Sequence, residues 1–189
     1  MDHPIRLVVT DDLKRSRLTV LFRGLLVIPH LIWLVLWGIA AWFVLIVAWF
    51  AALFTKHVPL GMHNFLAGFL CYQVHVFAYM TITANPYPAF SGSADYPVTV
   101  EIAPPMEQGR LGVFFRFLLA IPAFIVAGVL NYLTYVLVLF AWILALILGR
   151  IPEGMRNLQA FSIRYHAQTQ AYGNLLTSRY PSFNVGLDS

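Results

Sequence analysis

Two stretches of the chain, 18–54 and 111–148, are apolar almost without a break, and each holds one charge, Arg23 in the first and Arg116 in the second. Runs of that length and purity predict helices in an apolar solvent rather than the surface helices of a soluble domain. A turn of the form Pro-x-Gly-Met-x-Asn follows each run, with Pro59 and Gly61 in one case and Pro152 and Gly154 in the other. Proline and glycine stop the preceding helix, and Asn64 or Asn157 is placed to cap the next. Stretches of mixed polarity, 64–83 and 157–176, come after the turns. In the second of these, Leu158, Phe161, Tyr165, Tyr172 and Leu175 share a face at helical spacing, and Phe65, Tyr72 and Tyr79 match it in the first. That pattern predicts amphipathic helices lying in a membrane interface. Ahead of each run, "HPIRLVV" and "YPVTVEI" have the β-branched content of a short strand.

The order strand, run, turn, helix occurs twice because the sequence is duplicated. Displaced by 93 residues, it aligns with itself without a gap, and 28 of the 96 aligned pairs are identical. The matches include Arg23 with Arg116, Pro29 with Pro122, Gly61 with Gly154, Tyr72 with Tyr165 and Tyr79 with Tyr172. The unit closes on Tyr87, Pro88 and Phe90, which match Tyr180, Pro181 and Phe183. Apolar composition alone would align leucines and valines, not arginines, prolines and tyrosines in register. The units span 3–95 and 96–188.

A helix of 37 residues would be about 55 Å long, against roughly 30 Å of hydrocarbon. Each run therefore divides in one of two ways. Either an interfacial helix up to the proline leads into one span and the mixed helix is the second, or the run folds back as a hairpin of two short spans. Trp33, Trp37, Gly38 and Trp42 at one midpoint, with Gly128, Asn131, Tyr132 and Tyr135 at the other, favour the hairpin, as interfacial and turn residues. The polarity of 157–176, which includes Arg164, also favours it, as does the placing of all 12 Lys and Arg on one side. The expected fold is all-α and integral to the membrane: two tandem repeats, four membrane-embedded helices, interfacial amphipathic helices and short extended segments that pair.

Composition agrees: 60% of residues are apolar, 11% are charged, and the mean hydropathy is +0.74. No secretory leader is expected from the polar N-terminus. Cys71 is the single cysteine, which excludes an internal disulfide and a cysteine metal cluster. No acidic residue lies inside either run, so neither paired carboxylates nor an ion-coupled path is legible there. His75 and His166 read as hydrogen-bonded or interfacial, since no metal-ligand spacing accompanies them. The net charge of +4 points to orientation and lipid contact, not nucleic acid. No catalytic residue, cofactor or metal is expected. Arg23, Arg116 and Arg164 are candidate contacts for a lipid headgroup or anion; the bland alternative for the first two is snorkelling to the membrane surface. The Tyr-Pro-x-Phe motif reads as a structural stop and interfacial anchor.

The segment "RGLLVIPHLIWLVLW", the turn "KHVPLGMHNF" and the closing "YPAF", with the second copy "RFLLAIPAFIV", "GRIPEGMRNLQAFSIRYHAQTQAY" and "YPSF", resemble an uncharacterised bacterial membrane-protein family, a domain of unknown function common in actinobacteria. The resemblance covers nearly the whole chain as two copies. The first copy departs from it at Lys56 and His57, where the second has Gly149 and Arg150, and at Cys71, where the second has Arg164. The resemblance implies a membrane protein and no known catalysis. The expected function is a non-enzymatic structural or accessory subunit of the bacterial cytoplasmic membrane, multi-pass with both termini cytoplasmic. It would scaffold a membrane complex or shape the bilayer, with lipids and other membrane proteins or further copies of itself as partners. The alternative is a small channel or transporter component for an anionic substrate or lipid.

Overall fold

The structure, a computed structural model, describes residues 3–92 and 95–183. Asp188, the expected end of the second unit, lies outside the described residues. The first unit contains strand β1 (Ile5–Val9) and helices α1 (Arg17–Leu26), α2 (Ile28–Thr55) and α3 (Leu60–Met80). The second repeats the order with β2 (Val98–Ile102), α4 (Arg110–Phe114), α5 (Arg116–Leu148) and α6 (Glu153–Gly173). Both predicted strands are present, and they pair with each other, antiparallel, from Ile5 opposite Ile102 to Val9 opposite Val98. Leu7 sits opposite Val100, its own counterpart in the repeat, so the pairing is centred on an approximate two-fold axis relating the units.

The same axis governs the long helices. Trp49 Nε1 donates to Val113 O at 2.9 Å, and its counterpart Trp142 Nε1 donates to Val20 O at 3.0 Å. Arg110 Nη2 donates to Phe54 O, and Arg17 Nη2 to Ile147 O, both at 3.0 Å. The Gln108 amide donates to Lys56 O, and the Arg15 amide to Gly149 O. Each of these three bonds made by one unit on the other is returned. The start of α1 therefore lies beside the end of α5, and the start of α4 beside the end of α2, so the two long helical rods run antiparallel.

Helices α3 and α6 form the next layer, also antiparallel. Thr83, just past α3, donates to Gln159 near the start of α6, and Phe77 stacks on His166 at 5.7 Å. The sheet covers that layer on its other side: His75 Nε2 meets Thr99 Oγ1 at 3.2 Å, Cys71 Sγ donates to Val100 O at 3.4 Å, and Gln168 Nε2 donates to Ile5 O at 3.3 Å. The order of layers is long helices, inner helices, sheet.

Three expectations are corrected. Among the described residues two helices, α2 and α5, are long and apolar enough to cross a membrane, not four. Neither folds back: α2 is helical through Gly38, and α5 through Gly128 and Asn131, up to left-handed caps at Lys56 and Gly149. The midpoint residues that suggest a turn instead fit neighbouring helices, since the Phe69 ring packs over Gly38 and Asn131 Nδ2 bonds His166 Nδ1 at 3.2 Å. Secondly, α3 and α6 do not rest an apolar face on an interface. Tyr165, Tyr172 and Leu175 are buried inside the protein, as are Gln159, Gln168 and Thr169, while Leu158 is exposed. Thirdly, the caps of α3 and α6 are Pro59 and Pro152, not Asn64 and Asn157; Pro59 O accepts from His63 N, which closes the first turn of α3.

Candidate functional site

The arginine inside each apolar run, a tyrosine late in the following helix and the tyrosine of Tyr-Pro-x-Phe come together, once per unit. Arg23 projects inward from α1 and is 3% exposed. Its Nη1 donates to Tyr79 O at 2.9 Å and Ala84 O at 3.1 Å, and its guanidinium carbon lies 4.3 Å from the centre of the Tyr79 ring. Tyr79 in turn meets Tyr87 edge to face at 5.7 Å. In the second unit Arg116 is 2% exposed, donates from Nη1 to Thr177 O at 3.0 Å and lies 4.3 Å from the centre of the Tyr172 ring. Tyr172 meets Tyr180 at 5.4 Å. Phe90 and Phe183 complete the clasp against Tyr72 and Tyr165. Neither arginine snorkels. Each spends its charge on carbonyls at the frayed end of an inner helix, where unpaired acceptors collect, and on a tyrosine face. Pro88 and Pro181 are buried, while Tyr87 and Tyr180 before them remain exposed.

The sequence matches "Domain of unknown function (DUF4389)" over residues 17–92 and again over 110–184. The chain belongs to that family. No curated protein and no solved structure matches it. Both DUF4389 matches begin at the arginine that opens the long rod and run past the Tyr-Pro-x-Phe clasp, so the family unit contains the whole Arg–Tyr–Tyr arrangement and leaves out the strand.

Just ahead of each DUF4389 unit, two residues before its first arginine, the two clasps differ at one partner. Gln108 Oε1 accepts a short bond from Arg116 Nη2, while Gln108 Nε2 donates to Leu175 O. The counterpart of Gln108 is Arg15, which donates from Nε to Ile82 O and from Nη2 to Thr83 O and pairs with Asp11 at 2.6 Å. A cation cannot accept, so Arg23 Nε and Nη2 have no partner among the described residues, whereas in Arg116 only Nε is left. Burial, with Arg15 adding its repulsion, pulls the Arg23 guanidinium down to about 10; it remains charged at neutral pH. A groove of about 390 Å³ runs beside Arg23 and is lined also by Gly24, Val27, Ile82, Leu139 and Trp142.

Arg164 is buried on α6, with its guanidinium carbon 5.6 Å from the centre of the Phe161 ring, which stacks on Phe183 of the second clasp. Gly61 and Gly154 sit in open space at the starts of α3 and α6 and touch no site. Pro29 starts α2 and Pro122 lies within α5. Among the described residues no group of His, Cys, Asp and Glu is placed to hold a metal ion. Two features escaped sequence reasoning. Arg15 and Gln108 differ between the units, so a search for identities passes over them. His30, bonded through Nδ1 to the Tyr72 hydroxyl at 2.6 Å and stacked on Phe90, aligns with Ala123 and had no signal of its own.

Proposed function

We propose that the chain is a non-enzymatic membrane protein that lies in one leaflet with its long helices in the membrane plane, acting as a structural or accessory subunit that shapes the bilayer. The observation that carries this reading is the antiparallel pair of long rods with the sheet centred above their midpoint. Each rod, 17–55 or 110–148, is about 58 Å from end to end if straight, and its exposed apolar residues run the whole way, from Leu18 to Phe54 and from Leu111 to Leu148. A rod upright in roughly 30 Å of hydrocarbon would leave nearly half of that surface in water, and hiding it would need a tilt near 60°, beyond the usual range. Upright rods would also put the sheet, with Arg6 and Glu101 exposed on it, at the depth of the bilayer centre, where charge is expensive. Laid flat, the rods immerse their apolar surface and the sheet faces water.

In this reading a single crossing-free orientation takes the place of the expected multi-pass arrangement. Arg17 and Arg150 at one end and Lys56 and Arg110 at the other meet the same headgroup layer. Anionic lipid on the cytoplasmic side favours that placement, with both termini cytoplasmic in a bacterial cytoplasmic membrane. Two helices embedded in one leaflet expand it against the other, which is the physical route to bending.

Cysteines placed singly at Ser16 and His57, in a Cys71→Ser background, test the orientation in sealed vesicles. Both positions are exposed and lie at opposite ends of one rod. Labelling of both from the same side is expected; labelling from opposite sides would mean that the rod crosses, and would overturn the reading. Tubulation or shrinkage of anionic vesicles by the purified protein, seen by electron microscopy, tests the bending.

A further inference from the structure

We infer that the first unit holds the phosphate of an anionic membrane phospholipid on the Nε–Nη2 edge of Arg23, with the lipid's apolar part in the groove between α1 and α5. Guanidinium Nε and Nη2 form one side of a planar fork, spaced to meet two oxygens of a phosphate or carboxylate at once. In Arg23 neither atom of that edge makes a hydrogen bond of ordinary geometry among the described residues, although the side chain is 3% exposed and rests against Tyr79. Leaving two charged donors unpaired in a buried place is costly, so the site is built for an acceptor that the chain does not supply. The local charge has the same sense. Arg15 and Arg23 are both buried, while Asp11 is the single carboxylate paired there, bonded to Arg15. One positive charge is left over.

The second unit acts as an internal control. There Gln108 fills the Nη2 position of Arg116, closing half of the fork from within. The groove differs in the same direction. Gly24 has open space around its missing side chain, and its counterpart is Phe117. The apolar walls include Val27, between α1 and α2, and Leu139 and Trp142 on α5; the outer face of α5 is apolar, so an acyl chain reaches the groove from the bilayer. Charge and apolar walls together select an anionic amphiphile over a free anion. The inference goes beyond the proposed function and stands whichever way the rods meet the membrane.

The test is native mass spectrometry of the full chain, released from detergent, with phosphatidylglycerol, phosphatidylcholine, a fatty acid or inorganic phosphate added at matched concentration. Retention of one phosphatidylglycerol per chain, at least tenfold over phosphatidylcholine, is expected. Gly24→Phe, which copies the second unit, should reduce retention about tenfold while leaving the fold intact. The double change Asp11→Asn with Arg15→Gln installs the second unit's acceptor and should do the same, as should Arg23→Gln. Equal retention of both phospholipids, or wild-type retention by Gly24→Phe and the double variant together, overturns the proposal. Binding of inorganic phosphate alone overturns the lipid assignment, and preference for the fatty acid overturns the phosphate.

Discussion

Helices α5 and α6 are consecutive, and their polarity is the reverse of what a water-soluble protein would require. Helix α5 is nearly all apolar, yet Leu139, Ile143 and Ile147 are exposed and its buried stripe consists of small residues such as Ala141 and Ala145. Helix α6 carries Gln159, Arg164, Gln168 and Thr169, and all four are buried. So much contiguous apolar surface facing water would drive aggregation, which favours lipid on the α5 side. In a lipid solvent burial brings apolar side chains little, so interior positions go to small residues for close approach and to polar ones that bond each other. The comparison teaches that polarity here reports which neighbour a side chain has, not how deep it lies.

The sharpest way to break that comparison is to place one charge in each helix. Ala167→Asp, in the packed interior of α6, leaves an uncompensated buried charge and should cost about 3–5 kcal/mol, seen as loss of the cooperative thermal melt in detergent. Ile143→Asp, on the outer side of α5, should leave the melt in place but weaken membrane partitioning by about 2.5–3.5 kcal/mol, read by vesicle flotation. If the two variants behaved alike, the inside-out assignment would fail.

Gln168→Leu makes α6 more apolar and should nevertheless destabilise it. It takes one donor from Ile5 O and the acceptor from Ser182 N, at a cost of about 1–3 kcal/mol. Raised stability would show that α6 is held by burial alone. Smaller still, Trp49→Phe and Trp142→Phe each remove one of a reciprocal pair of bonds and should lower stability by about 0.5–1.5 kcal/mol, equally within error; a large inequality would mean that the two-fold relation is only geometric.

The smallest effect is that of pH. Burial holds the His3 imidazole below its ordinary range, with Arg179 and Arg164 pushing the same way. The unfolded chain then takes up the proton first, so stability is full above about pH 6.5 and declines as the pH falls toward the folded value. His3→Gln should flatten that decline in pH-dependent melts.

The duplication, both strands and the residues of both clasps were legible because identities in register survive without knowledge of contacts. The fold-back was misread for a physical reason. A tryptophan next to a glycine looks the same whether it marks a headgroup layer or leaves room for a ring, and Gly38 serves Phe69. The polar side chains of α6 are ambiguous in the same way, since a glutamine bonded to a strand carbonyl and one bonded to water leave the same trace in the sequence. The asymmetry at Arg15 and Gln108 was hidden because it matters only through Arg23 and Arg116, eight residues further on in each unit.

The self-opposed pair Leu7 and Val100 has a consequence for how the two units can differ. Had they been separate identical chains, any change near the axis would have appeared on both sides at once, and no single copy could have opened an arginine fork without opening both. Joined in one chain, each half diverges alone. One copy has kept its arginine closed with a glutamine, and the other is free to leave its arginine waiting for something from outside.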